Sequence, residues 1–119
     1  MKQVEYDITK KAEEYINNIS SNNYSEEENL INKCLGVLIQ DGLYSYFLFL
    51  MSKEKLRLKG ISFNILSNNT NTNKYISDLE NLQEEILTDL DEIFLSREIL
   101  ERFLTYIRFM LKSKKDGGE

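Results

Sequence analysis

The sequence predicts an all-α fold, and three observations lead to that prediction. Apolar residues recur at intervals of three or four along most of the 119 residues, which is the spacing of a helix face. Proline, which stops helices, does not occur in the sequence. The most apolar stretch, residues 35–53, would be hydrophobic on every side of a helix, so other helices should surround it. We therefore expect a single domain, residues 1–119, folded as a compact bundle of about five to seven helices around a buried central helix.

The first part of the chain predicts two helices. Apolar residues at helical spacing favour one amphipathic helix over residues 3–19, which the Asn- and Ser-rich run at 17–23 should end. Ser25, followed three residues later by Glu28, has the pattern of a capping box, so a second helix should start there.

Glycine and a change in composition predict the next boundaries. Gly42 should end the second helix or bend it, and a third helix should then run to about Glu54. Residues 61–66 alternate like a strand but have no second strand to pair with, so we predict a short helix. The uncharged Asn-rich run at 67–74 should be a mobile loop.

The last part of the chain predicts two more helices and a free end. Apolar spacing favours one long helix over residues 76–95, with a possible bend near Thr88. Ser96 should cap the last helix. Residues 113–119 should form a frayed tail. The last helix should bury one apolar face: Leu100, Phe103, Leu104, Ile107 and Leu111.

The single cysteine and the apolar stretch help to predict the cellular compartment of the protein. Cys34 lies on an apolar helix face and should be a core residue in a reducing environment. The chain does not open with a secretory-signal pattern. Gln40, Asp41 and Gly42 interrupt the apolar stretch, which leaves pieces shorter than the ~20 residues of a membrane span. These features predict a cytoplasmic protein that does not cross a membrane.

Charge is segregated along a chain whose net charge is -5. Four Lys or Arg and one Glu fall in residues 51–60, and a second excess of positive charge falls in residues 97–115. Seven of the acidic residues lie between residues 74 and 96. Cations grouped in this way are candidate contacts for nucleic acid. The first basic block is Lys53, Lys55, Arg57 and Lys59, and the second basic block is Arg102, Arg108 and Lys112.

Aromatic residues accompany both basic blocks and allow two interpretations. Tyr44, Tyr46 and Phe49 precede the first block, and Tyr106 and Phe109 lie within the second. Single-stranded nucleic acid is bound by such combinations through base stacking and phosphate neutralisation. The same aromatic residues are explained more simply as core, which is the interpretation that we favour. The net negative charge argues against a protein that binds nucleic acid by itself. It is compatible with a subunit that is held on nucleic acid by neighbouring subunits.

The sequence lacks histidine, the commonest general base and metal ligand at neutral pH. Histidine does not occur, so Ser-His and Cys-His pairs are excluded, and no Gly-rich phosphate loop is present. Glu85 and Asp89 stand at helical spacing but without the Glu-x-x-His motif of a di-iron site, which favours a solvated acidic face. We expect no catalytic residues, no metal site and no cofactor, and hence no enzyme activity.

Two stretches resemble one known family. Asp41-Gly42-Leu43 leads through Phe47 to Phe49-Leu50-Met51-Ser52-Lys53, and Ser96 and Glu98 precede Tyr106-Ile107-Arg108. This pattern is similar to that of the small all-helical subunit of type III-B CRISPR effector complexes, the Cmr small subunit. That family has Asn where this chain has Asp41.

The resemblance implies a non-catalytic subunit in antiviral defence, present in more than one copy. Such subunits stack on each other and on the backbone and large subunits along the duplex of guide and target RNA. RNA cleavage and cyclic-nucleotide synthesis belong to other subunits. On this basis one or both basic blocks would face the target strand, and acidic surface on residues 78–92 would meet basic neighbours.

Two other functions remain open from the sequence. The chain could be a helical adaptor or inhibitor that binds a protein partner through its acidic face. A helix-turn-helix DNA binder that uses the last helix is the weaker alternative, because the chain is acidic overall. Neither alternative involves a small-molecule substrate.

Overall fold

The fold was obtained as a computed structural model that describes residues 2–117, with the side chains from Gln3 onward. These residues form an all-α bundle, as the sequence predicts, with overall dimensions of 43 × 32 × 22 Å. Its helices are α1 (Lys2–Asn17), α2 (Tyr24–Ser52), α3 (Leu56–Asn69), α4 (Leu79–Glu85) and α5 (Leu90–Lys115). A single 3-10 turn, Ser21–Asn23, joins α1 to α2 in this part of the chain. Helix α5 packs against α1, α2 and α3, and α2 packs against α3, α4 and α5.

Helix α1 lies where the sequence predicts it, but α2 does not begin at the predicted capping box. Helix α2 begins at Tyr24, and its N-cap residue Asn23 makes no side-chain capping hydrogen bond. Ser25 already lies inside the first turn, so the predicted Ser25–Glu28 capping box is wrong as a boundary. The 3-10 turn instead delivers the chain directly into the helix.

Gly42 bends α2, as predicted. Its backbone has φ +93° and ψ -175°, a conformation that is essentially restricted to glycine. Tyr15 contacts both Glu27, near the start of α2, and Arg57, just beyond its end, so the bend returns the chain towards its starting point. Arg97 of α5 donates a hydrogen bond (2.9 Å) from Nη2 to the carbonyl of Ile39, and it thereby stabilises the helix end that the bend creates.

Helix α3 confirms the helical interpretation of residues 61–66 and extends it in both directions. It continues to Asn69, so the connection to α4 begins three residues later than the predicted loop and runs over residues 70–78. Two glutamates accept hydrogen bonds from the backbone of this connection. Glu85 Oε1 lies 2.6 Å from the amide nitrogen of Asn73, and Glu92 Oε1 lies 3.1 Å from that of Asn71. The mobility of the loop remains a prediction.

The predicted long helix over residues 76–95 is wrong, because the chain breaks between α4 and α5. Asp89 is extended (φ -134°, ψ 116°), and its carboxylate accepts hydrogen bonds from the amides of Asp91 and Glu92. Asp89 therefore caps α5, and the predicted cap Ser96 is wrong, because Ser96 is fully buried inside that helix. Helix α5 continues to Lys115, beyond the predicted start of the tail. Gly118 and Glu119 of that tail lie outside the described residues.

The core confirms the predicted buried face of α5 and most of the apolar stretch in α2. Cys34 is buried, and burial raises its pKa to about 12. One side of the second half of α2 is not covered, however. Tyr44, Leu48 and Met51 are 37%, 43% and 41% exposed, so the expectation that helices surround α2 on all sides is wrong there.

The membrane question rests on a single segment. By length and composition alone, Ser21–Ser52 could cross a membrane, because it contains an 18-residue window with a mean hydropathy of 1.5. The core helix of a water-soluble protein meets the same criterion, so this is weak evidence. Within α2 the Gly42 bend interrupts the segment, and much of the core is built on it.

Candidate nucleic-acid interface

The first basic block surrounds the turn between α2 and α3. Lys53 follows the last residue of α2, and its Nζ lies 5.8 Å from the centre of the Phe49 ring. Lys55 is the N-cap residue of α3 and is exposed, whereas Lys59, one turn later, is half-buried. The block combines a turn with a helix, so its cations leave the backbone in several directions.

Arg57 differs from its neighbours because it makes contacts within the fold. Its Nη2 donates a hydrogen bond (3.0 Å) to the carbonyl of Glu14. The guanidinium also lies over the Tyr15 ring, 4.6 Å from its centre, a cation–π arrangement. Arg57 thus joins the end of α1 to the start of α3, and its first role is structural.

Tyr15 extends this contact to the start of α2. Its phenol donates a hydrogen bond to the Glu27 carboxylate. Burial raises the pKa of Tyr15, and the hydrogen bond to Glu27 raises it further. The phenol therefore stays protonated and able to donate at neutral pH.

The C-terminal end of α5, which carries Arg108 and Lys112 of the second basic block, reaches the same turn of α2. Lys115 Nζ lies 2.7 Å from a carboxylate oxygen of Glu28. The hydrogen bond from Lys115 lowers the pKa of Glu28, and the charges of Lys112 and Arg108 lower it as well. The C-terminal turns of α5 therefore lie beside the N-terminal turn of α2.

The structure brings most of the two basic blocks together. Arg57 contacts Tyr15, which binds Glu27, and Lys115, close to Lys112 on α5, binds Glu28, so both blocks lie near the start of α2. We call this region the basic end of the bundle: Lys53, Lys55, Arg57, Lys59, Arg108, Lys112, Lys114 and Lys115. Lys114 and Lys115 were not among the predicted contact residues, although both stand in the basic run that ends α5.

Arg102 does not belong to the basic end. It lies thirteen residues before Lys115 on α5, about 20 Å away along the helix axis. Its guanidinium forms an ion pair (3.1 Å) with Glu98, one turn earlier. Arg102 is therefore both distant from the other cations and partly neutralised.

The aromatic residues beside the blocks divide between core and surface. Tyr46 is fully buried and its hydroxyl lies 2.8 Å from that of Ser62, which makes it a core residue. Tyr106 donates a hydrogen bond to Glu5 of α1. Phe109 is 58% exposed, with the Arg108 guanidinium 5.4 Å from its ring centre. Of the five aromatic residues, Phe109 and Tyr44 are the most available for stacking.

The acidic run at residues 78–92 is used largely inside the fold. Asp78 and Asp89 accept hydrogen bonds from backbone amides at the starts of α4 and α5. Glu85 and Glu92 accept hydrogen bonds from the loop at residues 70–78, as described above. Glu80, Glu84 and Asp91 are the exposed acidic residues of the run that remain for an external partner. Only part of the predicted acidic surface therefore faces outward without a role in the fold.

The comparisons with known proteins give no relative: no family model, no curated protein and no solved structure matches this chain. Over residues 2–117, no group of three or more Cys, Asp or Glu side chains is placed to hold a metal ion. Glu85, one of the acidic residues considered above, instead organises the neighbouring backbone.

Proposed function

We propose that this protein is a non-catalytic, RNA-contacting subunit of a type III-B CRISPR effector complex in antiviral defence. The observation that supports this most directly is the basic end, where cations from two separate parts of an acidic chain meet around the start of α2. The resemblance of residues 41–53 to the Cmr small subunit is the reason for proposing this particular family. The Gly42 bend and the apolar helix after it match the turn and helix of that pattern.

The contacts within the basic end favour different roles for its residues. Lys53 and Lys55 are exposed and, across the described chain, have no carboxylate oxygen within 4.0 Å. They are therefore the best candidates to neutralise phosphate. Lys112 is exposed as well, and Lys59 is less accessible. Arg57 positions the turn through Glu14, as the previous section describes.

The acidic residues near the basic end explain why neighbours would be needed. Glu27 and Glu28 lie near both blocks, and the chain carries a net charge of -5. Such a field repels phosphate at long range, so the isolated chain would bind RNA weakly. Backbone and large subunits, and further copies of this chain, would hold the basic end against the guide–target duplex. Glu80, Glu84 and Asp91 would meet basic neighbours, and the complex would work in the cytoplasm.

Affinity purification of the tagged full-length chain from its own cells tests the assignment. Recovery of backbone-type CRISPR proteins together with guide RNA is expected. Recovery of a single unrelated basic protein would contradict it and favour an adaptor or inhibitor. That second function draws support from Leu90 and Phe94, which are 64% and 57% exposed beside the acidic residue Asp91.

Charge reversal tests the RNA contact within the recovered complex. Changing Lys53 and Lys55 to Glu should reduce the amount of target RNA that the complex retains. The matched control changes Lys10 and Lys74 to Glu, since both are exposed and the change in net charge is the same. Equal RNA retention by the two double variants would contradict a contact at this block.

A further inference from the structure

A groove lies between the C-terminal parts of α1 and α5, where Lys114 of the basic end lines it. Its volume is about 300 Å³, which is at the lower end of the range for pockets that bind small ligands. Its lining combines apolar, hydrogen-bonding and charged side chains: Ile16, Met110, Asn17, Ser113, Glu13 and Lys114. We call it the terminal groove.

Each helix lines the terminal groove with residues one turn apart. Glu13 and Asn17 are four residues apart on α1, and Met110 and Lys114 are four residues apart on α5. Ile16 is only 1% exposed, and Met110 packs against the hydrophobic core. The apolar part of the lining is therefore held in place by the core, and the polar part lies at the surface.

The charges of the terminal groove favour a ligand that donates hydrogen bonds and also carries a negative charge. The Glu13 carboxylate can only accept hydrogen bonds, and its single ion pair, with Lys10 at 3.8 Å, leaves it at least half exposed. The C-terminal ends of both helices add partial negative charge. Lys114 supplies the opposite charge, and in the described part of the chain no carboxylate oxygen lies within 4.0 Å of its ammonium group.

We propose that the terminal groove binds a nucleotide through an unpaired guanine base. The Watson–Crick edge of guanine carries the N1–H group and the exocyclic amino group side by side, so the two oxygens of Glu13 can accept one hydrogen bond from each. The Asn17 amide can donate to the neighbouring O6 atom. The ring would lie against Ile16 and Met110, and the phosphate would pair with Lys114.

Other ligands match this lining less well. Uracil has one N–H group between two carbonyl oxygens, which the Glu13 carboxylate would repel. Adenine and cytosine place a ring nitrogen that accepts hydrogen bonds beside the amino group, so Glu13 would again face an acceptor. A basic peptide would satisfy Glu13 but would bring a like charge towards Lys114.

The proposal rests on the proposed function for the source of the nucleotide, because RNA would supply the guanine. It adds recognition of a base to the phosphate contacts of the basic end. Its test uses the free chain and a mononucleotide, whereas the CRISPR assignment is tested by what copurifies with the chain. A negative titration would therefore overturn the guanine site and leave the assignment standing.

NMR titration of the full-length chain with guanosine monophosphate tests the proposal, with uridine monophosphate and inorganic phosphate as comparison ligands. The backbone amides of Asn17 and Lys114 and the side-chain amide of Asn17 report on the terminal groove. We expect guanosine monophosphate to bind about five-fold more tightly than uridine monophosphate, or better, because a bidentate hydrogen-bonded pair discriminates between bases by at least this factor. Equal binding of the two nucleotides, equal shifts with phosphate alone, or no shifts would each overturn the proposal.

A pair of glutamate variants tests the carboxylate that reads the base. Glu13→Gln replaces one of the two acceptor oxygens by a donor and should remove most of the preference for guanosine monophosphate. Glu14→Gln is the matched control, because Glu14 is the next residue of α1, is also exposed, does not line the terminal groove and gives the same change in charge. It should keep the wild-type preference. An equal loss of preference in the two variants would overturn the role of Glu13 in recognising guanine.

Discussion

The first basic block and the acidic run at residues 78–92 look alike in the sequence, since each is a local excess of one charge, but the fold uses them in opposite ways. Four of the acidic side chains accept hydrogen bonds from backbone amides, at Asp78, Glu85, Asp89 and Glu92. Lys53 and Lys55 make no such contacts with the described chain, and they remain free for a partner. A charge run in a sequence therefore indicates a surface only where the fold does not already use its charges.

The Gly42 bend, on which the basic end depends, should give the largest effect. Gly42→Ala forces a residue with a Cβ atom to adopt φ +93°, and backbone strain of this kind costs on the order of 1–3 kcal/mol. Gly36→Ala is the matched control, because Gly36 lies inside the same helix with open space around it, and it should stabilise the fold by about 0.5–1 kcal/mol. Chemical unfolding of both variants measures the difference. Equal changes in the free energy of unfolding would show that the bend does not require glycine.

Removing an acidic side chain of this run that accepts hydrogen bonds from backbone amides should destabilise the protein. Asp89→Ala removes the acceptor for two amides at the start of α5 and should lower the free energy of unfolding by about 0.5–2 kcal/mol. Asp91→Ala, two residues later and exposed, keeps that cap and should change stability by less than about 0.5 kcal/mol. Thermal unfolding of the two variants compares them. A larger loss for Asp91→Ala would contradict the assignment of Asp89 as the cap.

The contact between Lys115 and Glu28 should give the smallest effect on stability, and it depends on pH. Because the folded protein lowers the pKa of Glu28, the contribution of this carboxylate is present above its ordinary pKa of 4.5 and is lost as the pH falls through the lowered value. Lys115→Ala should raise the pKa of Glu28 towards 4.5, as NMR titration of the carboxyl group would measure. An unchanged pKa of Glu28 would contradict the contact between Lys115 of α5 and Glu28 at the start of α2.

Local patterns in the sequence were enough to predict much of the fold. The spacing of apolar residues predicts α1, and Gly42 predicts the bend, because both depend on neighbours along the chain. Residues 61–66 alternate like a strand, and the helix there was predicted only because no second strand could pair with them. The break between α4 and α5 was missed because neither glycine nor proline marks it, and the apolar spacing continues across it. Asp89 was the available signal, as an Asp followed by two acidic residues within the next three is typical of a helix start.

The candidate site was predicted as two blocks but not as one surface. Its residue types are visible in the sequence, whereas the meeting of the blocks depends on how α1 and α5 pack around the bent α2. Arg57 was expected to be a contact residue, yet its position over Tyr15 follows from tertiary packing. The same holds for Arg97, whose contact with the carbonyl of Ile39 spans 58 residues.

The salt dependence of RNA retention by the assembled complex tests the central claim most directly, when one cation is removed from each block. Lys55→Gln with Lys112→Gln should reduce the slope of log affinity against log salt concentration by about 1.4 to 1.8, because two phosphate contacts, and the counterions that each releases on binding, are lost. The control double variant, Lys10→Gln with Lys74→Gln, should keep the wild-type slope. The same slope in all three proteins would contradict an RNA-contacting surface built from both basic blocks.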